Sequence, residues 1–160
     1  MSEKILTEAV RIAVRRYVEA AIRLKDVFHA NPPAPFPRMP KMPALERFRV
    51  ELIHPLWSPE KGTRDKYVRI RAGGVVYLWG DNRWEWDHGL DQTAKWVIRE
   101  SRCRARDVLA FIKAIERATA WCDRAARGIE RFRQEIWRQQ SLRLKKLEAY
   151  LAVEKLAGLS

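Results

Sequence analysis

The prolines of this chain lie in one window, and this distribution constrains the fold more than any other feature. All eight fall between Pro32 and Pro59, so long stretches on either side are free of the strongest helix breaker. The window itself is too rich in proline to form a long helix or a central strand. We therefore expect two helix-compatible regions joined by an extended segment.

The N-terminal region has the pattern of an amphipathic helix over residues 3–30. Apolar residues recur there at spacings of three and four: Leu6, Val10, Ala13, Tyr17, Ala21, Leu24 and Phe28. The opposite face carries charged residues, many of them arginine. The sequence Asn31-Pro32-Pro33 predicts the end of the helix.

The proline-rich segment NPPAPFPRMPKMP, residues 31–43, is typical of polyproline II structure. Such a segment is stiff and loses little entropy when it lies along a surface. Arg38 and Lys41 give it positive charge, so it could follow a groove or a partner subunit. Residues 44–53 could add a short helix before a second loop marked by His54-Pro55 and Ser58-Pro59.

From Tyr67 to His88 the pattern changes to that of strands. The runs VRIRA, VVYLW and RWEWDH predict a three-stranded meander, and Gly73-Gly74 suits a two-residue hairpin turn. The segment is charge-neutral but rich in tryptophan, which favours packing or contact between subunits over base stacking.

Residues 91–157 contain no proline and predict helix throughout. A change of apolar pattern after Gly128 indicates either two helices or one bent rod, and breaks near Ser101 or Ser141 are alternatives. The expected fold is mainly α. It comprises an N-terminal helical arm with a proline-rich linker (residues 1–66), a small antiparallel β meander (67–90) and a C-terminal helical bundle (91–160).

The charge balance points to a polyanionic partner. Thirty-two Lys and Arg residues against twenty Asp and Glu leave a net charge of +12, and 22 of the basic residues are arginine. Arginine suits bidentate contact with phosphate. The sequence therefore predicts binding to the phosphate backbone of a nucleic acid.

Basic residues also recur at an interval of seven along the C-terminal region: Arg117, Arg124, Arg131, Arg138 and Lys145, preceded by a similar series of Arg99, Arg106 and Lys113. On a continuous helix the first series would span about 42 Å, more than one turn of a duplex. The alternative is a solvated face of salt bridges. The full set of candidate phosphate-binding residues is Arg11, Arg15, Arg16, Arg23, Arg38, Lys41, Arg47, Arg49, Arg99, Arg106, Arg117, Arg124, Arg131 and Arg138.

Signals of catalysis are weak. The sequence has no phosphate-binding loop, dinucleotide fingerprint, His-Glu-x-x-His or Cys-x-x-Cys motif. The three histidines (His29, His54 and His88) are scattered, and we expect the two cysteines (Cys103 and Cys122) to be small core residues of a helical segment. We expect no enzyme activity, no metal and no cofactor. The absence of a long apolar run or signal peptide further predicts a soluble protein without a membrane span.

In its layout the chain resembles the capsid, or nucleocapsid, proteins of rod-shaped and filamentous double-stranded DNA viruses of hyperthermophilic archaea. The resemblance rests on the basic N-terminal helix, the proline-rich segment and the helical part after Asp91, with no signature motif. The low content of Asn and Gln is consistent with a hot habitat. In that family paired subunits wrap A-form DNA with N-terminal helices.

The resemblance implies a structural protein that coats double-stranded DNA without sequence preference. It also implies assembly as a homo-oligomer, or as a hetero-oligomer with a related subunit, in the virion after synthesis in the host cytoplasm. On this basis Arg11, Arg15, Arg16, Arg23, Arg38, Lys41, Arg47 and Arg49 would contact phosphate. The Trp-rich meander departs from the family's helical pattern.

Two other functions fit the same residues. One is a small helical protein of a CRISPR or anti-defence system that binds guide RNA or an RNA-bound complex. The other is an inactivated remnant of a RecB-like nuclease, because Asp81 and Glu85 are similar to the strand carboxylates of that family. In place of the lysine expected two residues after the glutamate, this chain has Asp87, so such a nuclease would be inactive.

Overall fold

A computed structural model describes residues 2–31, 33–58 and 66–158. Its elements follow in the order α1 (Glu3–Ala30), α2 (Pro43–Glu46), β1 (Val50–Leu52), β2 (Val68–Ala72), β3 (Val75–Trp79), α3 (Arg83–Glu100) and α4 (Ala105–Gly158). The prediction of a mainly α chain with a small antiparallel sheet is confirmed. Among the described residues, no helix is both long and apolar enough to cross a membrane.

Helix α1 is the central element of the core. The Ser2 hydroxyl caps its first turn by accepting a hydrogen bond from the Ile5 amide, and the helix ends at Ala30 as the Asn-Pro-Pro sequence predicted. Its apolar face is buried against α4 on one side and α3 on the other. The predicted N-terminal helix is thus confirmed, and it packs as part of the globular body.

Helices α1 and α4 run parallel. Ala9 and Arg16 of α1 line the same cavity as Ile112 and Thr119 of α4. Further along, Arg23 of α1 forms an ion pair with Asp123 of α4. Because α1 ends at Ala30, α4 loses this neighbour close to its own residue 130, and the last buried residue of α4 is Ile129.

The sheet has the order β1-β2-β3, with both pairs antiparallel. The predicted hairpin between β2 and β3 is confirmed: Gly73 and Gly74 have φ angles of +58° and +85°, as a two-residue turn of this kind requires. The third strand is β1, which pairs Val50 with Ala72 and Leu52 with Ile70. The predicted short helix in residues 44–53 covers only Pro43–Glu46.

The prediction of a third strand in RWEWDH is wrong, because these residues begin helix α3. The Asn82 side chain accepts hydrogen bonds from the amides of Trp84 and Glu85, which satisfies donors that a helix start leaves unpaired. Glu85 in the first turn also interacts favourably with the helix dipole. These interactions at the start of the helix favour helix more strongly than the alternation of Trp84 and Trp86 favours a strand.

Helix α4 is one continuous helix of 54 residues. In the C-terminal region, helix is interrupted between α3 and α4, near the predicted Ser101, where Arg102 and Cys103 adopt φ angles of +52° and +59°. The prediction of two core cysteines is confirmed for Cys122 but wrong for Cys103, which is exposed in this break. The other predicted breaks, at Gly128 and Ser141, do not occur. A Cβ atom added at Gly128 would meet nothing within 4 Å, and the next residue, Ile129, is the last buried residue of α4. The change of apolar pattern after Gly128 therefore falls where α4 leaves the body.

Candidate nucleic-acid interface

The basic residues at intervals of seven form an exposed line along α4. Arg117, Arg124, Arg131, Arg138 and Lys145 all lie on this one helix, and all are exposed. Seven residues are slightly less than two helical turns, so each member is rotated by only about 20° from the one before. The line therefore stays on one side of the helix over about 42 Å. We call these five residues the basic stripe.

Arg99 does not extend this line. It lies in the last turn of α3, and the break after Glu100 separates it from Arg106 in the first turns of α4. Both side chains are exposed. The predicted series of Arg99, Arg106 and Lys113 is thus divided between two helices: Arg106 and Lys113 share helix α4 with the stripe, and Arg99 does not.

The proline-rich segment lies against α4 and brings Lys41 to the stripe. A cavity of about 290 Å³ is lined by Pro40, Lys41 and Pro43 on one side and by Arg117 and Arg124 on the other. Of residues 31–43, which the sequence predicts to be extended, residues 33–42 form no helix or strand, Pro43 begins α2, and Pro32 lies outside the described residues. We call the surface formed by Lys41, Arg117 and Arg124 the basic groove. It combines three cations from two distant parts of the sequence.

Hydrogen bonds fix this segment in place. The Trp121 indole of α4 donates to the Arg38 carbonyl at 3.1 Å. This contact holds the backbone of Arg38, whose side chain is exposed, beside the helix that carries the groove. A tryptophan buried on its apolar face with its N–H on a backbone oxygen is a rigid anchor.

His54 provides the second anchor. Its Nδ1 accepts a hydrogen bond from the Leu56 amide, and its Nε2 lies 2.7 Å from the Pro37 carbonyl, so Nε2 carries the proton and donates. Its ring stacks on Phe36 at 4.4 Å and meets the edge of Trp121 at 5.6 Å. Burial lowers the pKa of His54, and the hydrogen bond to the Pro37 carbonyl opposes this by a smaller amount. The lowered pKa favours the neutral form of the ring.

Several of the predicted arginines are paired with carboxylates. Arg11 contacts Glu8 at 3.2 Å and Asp91 of α3 at 2.8 Å. Arg23 lies 3.4 Å from Asp123, and Arg47 lies 3.0 Å from Asp107. Both aspartates are on α4. These three arginines tie elements of the body together. Their charge is partly neutralised, so they are weaker candidates for phosphate contact than the groove residues.

The remaining candidates lie apart. Arg15 and Arg16 are exposed on α1, and Arg16 borders the α1–α4 cavity together with Glu116. Arg49 has a φ angle of +52° and places its guanidinium 5.4 Å from the Trp96 ring. Next to the last member of the stripe, Arg138 forms a 2.7 Å ion pair with Glu135, and this hydrogen bond lowers the pKa of the Glu135 carboxyl.

The carboxylates with a resemblance to nuclease residues have a different setting. Glu85 and Asp87 lie in helix α3 rather than on a strand, and Asp81 precedes the helix, 3.7 Å from Lys66. In the described ranges, no three side chains of His, Cys, Asp or Glu come together as metal ligands would. The strand geometry on which the nuclease resemblance depends is therefore not present at these residues.

Sequence reasoning did not identify the groove itself. It selected Lys41, Arg117 and Arg124 individually, but nothing in their spacing shows that residue 41 packs beside residues 117 and 124. The anchors Trp121 and His54 were also missed, since a lone tryptophan and a lone histidine carry no specific signal. No protein-family profile, curated protein or solved structure matches this chain.

Proposed function

We propose that the protein binds the phosphate backbone of a nucleic-acid duplex through the basic groove and the basic stripe. The observation that carries the proposal is the convergence of Lys41, Arg117 and Arg124 on one exposed surface, where no ion pair with a carboxylate is present among the described residues. Closely spaced cations of this kind displace the counterions that condense on a duplex, which provides affinity without sequence readout.

The length of the stripe supports a duplex as the ligand. Successive members are about 10 Å apart along the helix axis, and the line as a whole covers about 42 Å. A rigid helix with cations at regular intervals can contact phosphates on more than one turn of a duplex. A small anionic ligand would occupy only one of these positions.

In this proposal the protein is a structural coat component that performs no chemical reaction. The viral capsid proteins that the sequence resembles coat double-stranded DNA in this sequence-independent way. The fixed proline-rich segment supports such a role, since a basic surface that is already ordered loses little entropy on binding. Many copies along one duplex would form the nucleocapsid of a virion.

The experiment is a filter-binding titration of a duplex DNA of random sequence with the full chain. The groove variant combines Lys41→Gln, Arg117→Gln and Arg124→Gln. The control variant combines Lys4→Gln, Arg83→Gln and Lys95→Gln, three exposed basic residues on α1 and α3. Both variants lose the same net charge, so a difference between them reports the location of the binding surface.

We expect the groove variant to bind at least about tenfold more weakly than the control at moderate salt, because each lost phosphate contact reduces the salt-dependent part of the affinity. Equal loss in both variants would show that net charge alone attracts DNA, and the proposed surface would be wrong. A parallel titration with duplex RNA tests the alternative of an RNA-binding defence protein, which requires strong preference for RNA over DNA.

A further inference from the structure

The second half of α4 extends beyond the rest of the chain. In the described part of the chain, no residue after Ile129 is buried, although α4 continues to Gly158. Twenty-nine residues of helix correspond to about 43 Å. We call residues 130–158 the C-terminal extension. In proteins most helical stability comes from packing of an apolar face rather than from propensity, so the extension is expected to pack against something.

The apolar face of the extension continues the face by which α4 packs in the body. At 100° per residue, the buried residues Phe111, Ile115, Cys122 and Ile129 lie on one side of the helix. The same side then carries a further apolar series, which we call the C-terminal seam: Phe132, Ile136, Leu144, Leu147 and Leu151. Leu144, Leu147 and Leu151 are each more than half exposed. A core-type face thus remains uncovered.

The three leucines of the seam have the spacing of coiled-coil core positions. Leu144 and Leu151 are seven residues apart, and Leu147 lies between them at the alternating three-four interval, whereas Phe132 and Ile136 lie outside this repeat. The basic stripe lies on the opposite side of the helix. At 100° per residue, Arg131, Arg138 and Lys145 are each about 150° or more from the centre of the seam. Pairing through the seam would therefore leave the stripe exposed.

One charged pair favours a second copy of this chain, in the parallel direction, as the partner. Each seven-residue repeat of a coiled coil has two core positions, here those of Leu144 and Leu147. In a parallel two-stranded coiled coil, the residue just before the first of these positions lies near the residue five places further along in the other chain. For this sequence that rule places Arg143 beside Glu148 of the partner subunit, twice across the symmetry axis. In an antiparallel pair with the seams superposed, Arg143 would instead lie opposite Gln140 and gain no carboxylate.

We propose that the C-terminal extension forms a parallel coiled coil with the extension of a second copy of this chain. Leu144, Leu147 and Leu151 form its core, and the Arg143–Glu148 pairs fix its register. The two globular bodies then lie at the same end of the pair. This inference does not rest on the proposed function, because it requires no nucleic acid.

Sedimentation velocity of the purified full chain without nucleic acid tests the association. We expect a dimer for the unchanged chain at micromolar concentration and a monomer for Leu147→Glu. Leu142→Glu is the matched control, because Leu142 is an exposed leucine on the side of the helix away from the seam. Since both positions are exposed, neither variant threatens the fold. A monomeric parent, or equal dissociation of both variants, would overturn the proposal.

Two further variants test direction and register. In a Cys103→Ser background, Leu147→Cys is expected to form an intersubunit disulfide under mild oxidation, because parallel pairing brings the two copies of residue 147 together. Absence of the cross-link would refute the parallel arrangement. Arg143→Glu and Glu148→Arg should each weaken the dimer, and the double exchange should restore it. Failure of the double exchange to restore the dimer would refute the proposed register.

Discussion

The hairpin between β2 and β3 offers a stability prediction whose size can be worked out from geometry. At Gly73, an added Cβ atom would lie 2.5 Å from the Trp96 ring, and the substituted residue would also have to keep a φ angle of +58°. At Gly74 the φ angle is +85°, but nothing lies within 4 Å of the added atom. The two positions therefore separate backbone strain from steric conflict.

For Gly74→Ala we expect only the strain of a left-handed residue, about 1–2 kcal/mol. For Gly73→Ala the Trp96 ring must also move. The Trp96 indole donates a 2.7 Å hydrogen bond to the Phe48 carbonyl, so its displacement puts at risk a further 0.5–1.5 kcal/mol, roughly, together with apolar packing. The expected loss for Gly73→Ala is therefore about 2–4 kcal/mol.

Urea unfolding followed by circular dichroism, at one protein concentration for all variants, measures both losses. An unchanged dependence on urea would confirm that the same surface unfolds in each case. Equal destabilisation by the two substitutions would refute the reasoning, because it would mean that Trp96 does not pack closely over the turn.

Three further predictions concern buried groups. The Tyr17 hydroxyl is fully buried without a hydrogen-bond partner in the described part of the chain, so Tyr17→Phe should raise the free energy of unfolding by about 1 kcal/mol; a loss of stability would reveal a partner. Burial lowers the pKa of His54, so stability should fall as the pH drops below the ordinary histidine pKa and through the lower folded value; His54→Gln should flatten this profile. Burial raises the pKa of the Cys122 thiol to about 12, so a thiol reagent should modify exposed Cys103 in the native protein and Cys122 only after unfolding; native labelling of Cys122 would contradict its burial.

Local signals in the sequence were sufficient for α1, the Gly73-Gly74 hairpin and the helical nature of residues 105–158. Each depends on interactions between residues close in the chain, such as the Asn-Pro-Pro helix stop. The first turns of α3, residues 83–88, were misassigned because two tryptophans in alternation resemble a short strand, whereas the rest of α3 from residue 91 was predicted as helix. The cap that starts this helix depends on the single side chain of Asn82. An asparagine is equally common in turns, so the sequence did not show which of the two structures it forms.

Long-range contacts account for most of what sequence reasoning missed. Strand β1 has only three residues and is recognisable through its pairing with β2. The break between α3 and α4 could be given only as one of several alternatives, because its left-handed residues are Arg102 and Cys103, where a glycine would have given a clear signal. The basic groove depends on the packing of the proline-rich segment against α4, which no local pattern specifies.

The salt dependence of duplex binding tests the central claim most directly. Each phosphate neutralised on B-form DNA contributes about 0.9 to the slope of log affinity against log salt. Loss of the three groove cations in the Lys41→Gln, Arg117→Gln and Arg124→Gln variant should therefore reduce the magnitude of that slope by about 2.7, with no comparable change in the Lys4→Gln, Arg83→Gln and Lys95→Gln control. A slope near zero for the unchanged chain, or the same slope for both variants, would contradict the proposal that this groove binds the phosphate backbone.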